Sequence, residues 1–550
     1  MTSTDSPQGT AIGRADKPWS RETPDGPWDV VVIGSGMGGM TCAALLSKLG
    51  RRVLVLEQHY VPGGYTHAFP RKGYLWDVGV HAVGEVTRHT LPGRVLHHLT
   101  DGRLRWASLG PVYDAFHFPD GFRIDFPDNP RQFRDNLVAA FPDEEDAVDA
   151  FLLRVREVAG TMRSYLASRT LPRRLVRPIE WLIARDARRF LLQRTDEELA
   201  RLTDDPRLRT VLAAQWGYCG APPSRSSFAV QALITRHFLH GGYYPEGGSS
   251  EIARQLLRTV ADAGGWTRIL ADVDEILLDG NKAVGVRLKD GETIRARRVV
   301  SATSVATTVR HLLPPEARAQ AWARDVDTLE PGPAHVCLYL GFRGDIRTAG
   351  ASGANQWFYN TWDSEDDVWE VDDPDALGRP PVLYCSFPSL KDPLHDPGPE
   401  QCHTGEVVTF VPWQTFAAWR GTRSRRDRGP EYERLKTAIE DALLEQFLER
   451  MPELRPMVDY VELSTPASTD YFVRPVDGSI YGLLPTPERF ASDSLRPRSP
   501  IRNLFFGGSD AAMVGVIGAM MGGLLAATAA EPLRALRLLR RIESTDRPRA

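Results

Sequence analysis

Residues 28–67, WDVVVIGSGMGGMTCAALLSKLGRRVLVLEQHYVPGGYTH, constrain the fold more than any other stretch of this chain. Asp29 to Ile33 is a short β-branched run, the pattern of a buried parallel strand. Gly34-x-Gly36-x-x-Gly39 follows at once, Met37 to Leu49 reads as a helix, and a second strand, Arg52 to Leu56, ends in Glu57. Together these parts suit the gripping of a pyrophosphate. Gly34 allows a tight turn, Gly36 lets phosphates approach the backbone, and Gly39 lets helix and strand pack closely. The opening of the helix, with Met37 and Gly38, offers N–H groups and a partial positive charge to an anion. Glu57 stands 18 residues past Gly39, where ribose hydroxyls need an acceptor. The spacing predicts a βαβ dinucleotide-binding unit.

A chain of 550 residues exceeds one ordinary core, so two or more lobes are expected. Its net charge of −4 gives no general attraction to nucleic acid. The five cysteines (Cys42, Cys219, Cys337, Cys385, Cys402) are scattered and form no CxxC. They suit a reducing compartment and offer neither a disulfide framework nor a metal site. Residues 1–27 are polar and lack the apolar run of a signal peptide, so they read as a disordered tail and the expected location is cytoplasmic. Ala511 to Ala530 runs twenty residues without a charge and contains Gly518-x-x-x-Gly522, which raises a membrane span as an alternative. Seven of the twenty are Ala and four are Gly, so the segment reads instead as a helix buried between protein layers.

Beyond the first unit, Val112 to Phe126 reads as a hairpin turning at Asp120-Gly121. A mostly helical region follows from about Pro130 to Phe238, and helical periodicity returns at Ser250 to Ala263. Arg268 to Ala302 reads as a meander ending in the β-branched strand Arg298 to Ala302. Residues 306–494 mix aromatic strands with a helix near Glu431 to Arg450, and Asn503 to Phe506 is a short strand leading into the Ala-rich helix. The nucleotide-binding domain is therefore expected to be assembled from residues 28–105, 245–305 and 495–535. A second lobe of residues 106–244 and 306–494 is inserted between them, and 536–550 form a basic tail.

Pro62-Gly63-Gly64, followed by Tyr65, reads either as a surface turn or as backbone passing close to a large cofactor. Its place just beyond Glu57 favours the second. Gly507-Gly508-Ser509-Asp510 serves as a helix cap, and its N–H groups and Asp510 also suit a ribityl chain. The dipole of the following helix, which carries Gly518, favours negative charge on a reduced ring. Candidate catalytic side chains are His81, Tyr244, Glu246 and Tyr481, with Tyr243 beside them, all in glycine-flanked segments. Each reads equally as a satisfied structural residue. Arg163 to Arg194 carries nine Arg among aliphatic residues, and Leu533 to Ile542 has a similar basic amphipathic character. These runs read as solvated helix faces or as surfaces for peripheral membrane contact at an anionic inner face.

The blocks LEQHYVPGGYTHAF (56–69), WDVGVHAVG (76–84), GGYYPEGGSSEI (241–252), DEILLDGNKAVGVRL (274–288) and NLFFGGSDAAMVGVIGAMMGGLLAA (503–527) resemble the flavin-dependent amine oxidase superfamily. Within it they are similar to the group of phytoene desaturases, carotenoid isomerases and retinol saturases, and GAPPSRSSFAVQ and HGGYYPEGG lean toward the saturase branch. The resemblance implies an α/β fold with a Rossmann-type, glutathione-reductase-like FAD domain built from discontinuous segments and an inserted α+β substrate-binding lobe. It implies FAD, with Glu57 at the adenosine ribose, the Val273 backbone at adenine and Asp510 at the ribityl-pyrophosphate region. A hydrophobic polyene, retinoid or carotenoid, is the implied substrate for saturation, with desaturation or isomerisation as rivals. A non-catalytic prenyl-lipid escort is the rival of another class. Residues 68–550 contain no second GxGxxG, so the expected electron partner is a quinone, oxygen or a separate redox protein.

Overall fold

A computed structural model describes residues 17–545 apart from 173–175, 177, 179–183, 366, 423 and 424. The β-branched runs read from the sequence form the centre of a seven-stranded sheet. Its order is Val273–Leu278, Ala283–Leu288, Thr293–Ser301, Trp28–Ile33, Val53–Leu56 and Trp266–Arg268, with Leu504–Phe506 also pairing Thr293–Ser301. The strands around Trp28–Ile33 are parallel, and Val30 to Val32 and Val53 to Val55 have no exposed surface. That explains their unbroken apolar character, since helices cover both faces of such a sheet. Thr293–Ser301 does two jobs. Its first part, to Arg295, closes the antiparallel meander, and the rest, from Ala296, runs parallel to the first strand. Arg268, the first residue of the expected meander, instead ends a short strand, Trp266–Arg268, on the parallel edge beside Val53–Leu56.

A second seven-stranded sheet runs Val458–Ser464, Ala334–Arg343, Cys402–Val411, Val382–Ser386, Asn355–Tyr359, Val112–His117 and Arg123–Pro127. The helices between Pro130 and Phe238 pack on it through one large apolar cluster that includes Phe116, Phe151, Trp216, Phe228 and Trp357. The hairpin Tyr74–Asp77 with Ala68–Arg71 reaches across from the first sheet's sequence neighbourhood, and Trp76 packs beside Tyr339 of the second sheet.

The Ala-rich helix spans Gly515–Ala530 and is buried against Met37–Lys48 through glycines. A Cβ on Gly523 would overlap the carbonyl of Gly38, and one on Gly522 would overlap the carbonyl of Gly508. Backbone-to-backbone approach therefore explains the small residues. Among the described residues no helix is long and apolar enough to cross a membrane.

Two expectations are corrected at the chain's ends. Residues 1–16 lie outside the described residues, but Ser20 exchanges backbone hydrogen bonds with Thr267 and Ile269, and Trp19 packs on the core around the first helix. The edge strand Trp266–Arg268 has a free side, and the polar segment satisfies it. Toward the other end, Pro532–Thr545 is a helix, not a tail, with Ile542 buried against the same core. Three of the nine arginines between Arg163 and Arg194, namely Arg173, Arg174 and Arg177, lie outside the described residues.

Candidate cofactor and substrate site

Each glycine of the fingerprint meets a different demand. Gly34 has φ +89°, the left-handed region that favours glycine. A Cβ on Gly39 would overlap the Gly34 carbonyl, whereas a Cβ on Gly36 would meet nothing within 4 Å. Gly36 precedes the helix Met37–Lys48, whose N-terminus has no side-chain cap. The first N–H groups of that helix therefore face a cavity of about 1400 Å³, which Gly34, Gly36, Met37, Gly38 and Glu57 help to line.

Glu57 is buried and organises this turn. Its Oε2 accepts the Ser35 N–H at 2.9 Å and the Ser35 hydroxyl at 2.6 Å, and its Oε1 accepts the His59 N–H at 2.8 Å. The Ser35 hydroxyl oxygen accepts the Gly63 N–H at 3.0 Å. This brings the Pro62-Gly63-Gly64 turn over the fingerprint, where a Cβ on Gly64 would stand 3.0 Å from Gly36 Cα. A carboxylate offers about four acceptor positions, so Glu57 keeps capacity on Oε1 for a ribose hydroxyl. Val273 lines the same end of the cavity, together with Ala271, Asp272 and Asp274.

At the other end, Tyr65, Gly508, Ser509, Met513 and Gly515 to Gly518 form the wall. The Gly515–Ala530 helix also begins without a side-chain cap, so two helix N-termini open into one space. Asp510 is placed differently from the ribityl role expected of it. It is buried and not among the lining residues; Oδ2 accepts the Ser304 hydroxyl and the Val305 N–H, both at 2.8 Å, and Oδ1 accepts the Leu483 N–H at 3.0 Å. It staples three chain segments behind the wall. Arg489 is buried beside it and donates to the carbonyls of Leu483 and Ser509. Gly39 and Gly63 likewise act from behind the lining residues.

The cavity continues as an apolar arm between the helices and the second sheet. Met162, Leu166, Val230, Leu233, Ile234 and Phe238 form one side, and Trp357, Val382, Tyr384 and Phe410 the other, with Tyr218 at the join. The arm is thus walled mainly by apolar side chains and is continuous with the glycine-lined end of the cavity.

Of the four candidate catalytic residues, the structure brings His81 and Tyr481 to the cavity wall. Tyr244 is buried behind it with its hydroxyl on Asp77, and Glu246 pairs with Arg105 at 2.9 Å, also outside the lining. Tyr243 donates its hydroxyl to the His240 carbonyl, likewise away from the wall. Strand pairing accounts for the split: Tyr243–Pro245 forms a separate two-stranded antiparallel sheet with Trp106–Ser108, and none of its residues lines the cavity.

Behind His81 lies a buried polar layer that the sequence reading missed. His81 Nδ1 stands 2.8 Å from Glu406 Oε2, and Asp77 donates its N–H to Glu406 Oε1 at 3.0 Å. Lys391 Nζ donates to the His81 carbonyl at 2.8 Å, to Ser386 Oγ at 2.7 Å and to Asn355 Oδ1. Asn355 in turn donates to Asp114 at 2.8 Å. Burial drives the protonation states. It lowers His81 to about 3 and Lys391 to about 7, raises Asp77 to about 6, and holds Glu406 well above the usual carboxylate range. Part of a signal was available, because Asp114 interrupts the largely apolar Val112–His117, whereas Glu406 follows His403, Thr404 and Gly405 in Cys402–Val411 and its burial shows only in the fold. A charge inside a buried strand requires partners.

Comparison with known proteins places this geometry among flavoproteins. Residues 37–530 match the family described as flavin containing amine oxidoreductase. The chain is 32% identical over 526 residues to all-trans-retinol 13,14-reductase of Homo sapiens, covering 91% of this chain and 85% of that protein. It is 27% identical over 477 residues to prolycopene isomerase 2 of an Oncidium hybrid cultivar, covering 83% of this chain and 76% of that one. Among solved structures, cyclohexylamine oxidase from Brevibacterium oxydans superposes with a TM-score of 0.59 at 17% identity, covering 93% of this chain and all of that one.

Proposed function

The chain belongs to the family of flavin-containing amine oxidoreductases, and on that premise we propose that it reduces a carbon–carbon double bond of a polyene isoprenoid, a retinoid or a carotenoid. The cofactor is FAD. The observation that carries the reading is the continuity of one cavity from the glycine turn and Glu57 to the apolar arm. It gives a dinucleotide and a long lipid a shared junction at Tyr65, His81 and Tyr481. Bound there, the flavin supplies hydride transfer, and the chain's own residues position the partners around it.

Gly36 and the N-terminus of Met37–Lys48 would hold the pyrophosphate, Glu57 the ribose and the Val273 backbone the adenine. Gly508, Ser509 and the start of Gly515–Ala530 would hold the ring. The aliphatic and aromatic walls of the arm exclude water and fix the polyene in one orientation. Residues 28–105, 245–305 and 495–535 form the FAD domain in this reading, and 106–244 with 306–494 the substrate lobe. A lipid escort without catalysis has no use for the flavin end of the cavity.

Electrons are exchanged with a quinone, oxygen or a separate redox protein, since one fingerprint serves FAD. Leu533 is 74% exposed on the helix Pro532–Thr545 beside Arg534 and Arg537, which supports a peripheral contact with anionic lipid. Isomerisation or desaturation is the second reading, favoured by the likeness to a prolycopene isomerase. Anaerobic incubation of the reduced holoprotein with a panel of retinoids and carotenoids, resolved by mass, separates them. A gain of two hydrogens is expected; a loss of two, or unchanged mass with altered retention, would replace reduction with desaturation or isomerisation.

A further inference from the structure

Reducing a double bond consumes a proton as well as a hydride, and the buried layer behind His81 contains a group suited to supply it. Asp114 accepts hydrogen bonds from Asn355, Tyr218 and Gln215. Asp77 accepts the N–H and hydroxyl of Ser249 on one oxygen and the Tyr244 hydroxyl on the other. Lys391 uses its donors on the His81 carbonyl, Ser386 and Asn355. Glu406 differs from all three. Its Oε1 accepts the Asp77 N–H, but its Oε2 is fully buried and has no aligned hydrogen-bond donor among the described residues. That oxygen lies 2.8 Å from His81 Nδ1, and the imidazole lines the cavity.

Both Glu406 Oε2 and His81 Nδ1 are buried without an aligned partner although they stand 2.8 Å apart. Two facing acceptors need one proton between them, and a protonated Glu406 beside a neutral Nδ1 supplies it, after a small ring rotation, without a buried charge. We propose that Glu406 stores the proton consumed in the reduction and that His81 carries it into the cavity. The inference rests on the polyene-reductase reading above. The Glu406 O–H bond breaks as an N–H forms on His81 Nδ1. The His81 Nε2–H bond breaks as a C–H forms on the alkene carbon that does not receive hydride. The electron pair arrives with the hydride from the reduced flavin, which a quinol or a reduced redox protein recharges. His81 is left as the other neutral tautomer and Glu406 as a carboxylate facing Lys391, until water returns the proton.

The protonation states at rest agree with this order, because burial holds Glu406 above the usual range and keeps the imidazole neutral. Burial also holds Tyr244, Tyr339, Tyr384, Cys337 and His335 neutral around the pair. His81 is the catalytic residue in this scheme, and Glu406 acts through it.

The test uses the holoprotein, its Glu406→Gln and His81→Gln variants, dithionite as reductant and all-trans-retinol with a carotenoid panel as probes. The infrared spectrum of wild type at neutral pH, minus that of Glu406→Gln, should contain the carbonyl stretch of a protonated carboxylic acid. In single turnover, both variants should keep their flavin and its reduction by dithionite, yet reoxidise with substrate on the order of 10²-fold more slowly. Absence of the carboxylic-acid band, or variants as fast as wild type, would overturn the relay while leaving the reductase reading intact. Failure of wild type with every polyene would remove that reading instead, and the infrared arm would still decide whether Glu406 holds a proton. If Glu406→Gln does not fold, His81→Gln carries the kinetic arm and a pH titration of the wild-type band carries the other.

Discussion

Gly36 and Gly38 are two residues apart on one turn, and the structure assigns them opposite sensitivities. A Cβ on Gly36 meets no protein atom within 4 Å, and the residue has φ −63° and ψ 173°, extended geometry that any residue adopts. Without cofactor, Gly36→Val should thus be close to neutral. Fewer unfolded conformations contribute about 0.4–1 kcal/mol of stability, and losing a favourable residue before the helix costs a similar amount. With cofactor, the added side chain occupies the space over the helix N-terminus and displaces the pyrophosphate. Losing two N–H contacts to a charged group, at about 1.5–3 kcal/mol each, weakens FAD by roughly 10²–10⁴-fold. Gly38→Ala should do the reverse damage, because its Cβ would stand 2.5 Å from Gly508 Cα and N. Backbone cannot retreat as a side-chain tip can, so overpacking there costs about 1–3 kcal/mol or more. The assay is flavin titration of the apoproteins alongside their denaturant midpoints. Gly36→Val with full flavin affinity, or with a stability loss matching that of Gly38→Ala, would refute the placement of the cofactor over this turn.

Glu57→Arg should lose most bound FAD and also destabilise the turn, since Ser35 and His59 lose their acceptor; flavin absorbance at full occupancy in the purified variant would contradict this. Glu246→Ala should leave flavin content and single-turnover rates within about twofold, because a partly exposed ion pair with Arg105 contributes little, and a large rate loss would return Glu246 to the site. Acidification should destabilise the holoprotein. Burial holds His67, His81 and His335 at about 4, 3 and 4 against 6.5 in the unfolded chain, so the unfolded state binds more protons below pH 6.5 and stability falls with pH. From pH 7 to 5 each costs about 2 kcal/mol at most. Asp77 and Glu406, displaced upward, return part of it; denaturation curves showing equal stability at pH 5 would mean the histidines are not buried neutral.

The parts of this architecture written in local sequence were the readable ones. A strand, a glycine turn, a helix and an acid in forty residues define a βαβ unit, because backbone geometry alone demands those residues at that spacing. The discontinuous parallel sheet was readable in outline because Arg298 to Ala302 and Asn503 to Phe506 carry the same β-branched or aromatic character. What escaped depends on distant contacts. Asp510 has the look of a ligand-binding carboxylate, but Ser304, Val305 and Leu483 converge on it only in three dimensions. Glu406 and His81 are 325 positions apart in sequence and meet through sheet packing. Tyr244 and Glu246 sit in a glycine-rich segment none of whose residues lines the cavity: Tyr244 is held in a strand paired with Trp106–Ser108, and Glu246 by Arg105.

The glycine contact between Met37–Lys48 and Gly515–Ala530 has a consequence for biogenesis. The wall that Gly508 and Gly515 to Gly518 contribute is translated some 470 residues after the fingerprint it completes. Until that later segment is in place the nucleotide cleft lacks one of its walls. A complete cleft therefore requires both ends of this stretch of sequence, and a chain cut before Gly507 should bind flavin more weakly than the whole one, which flavin titration of the truncated chain checks.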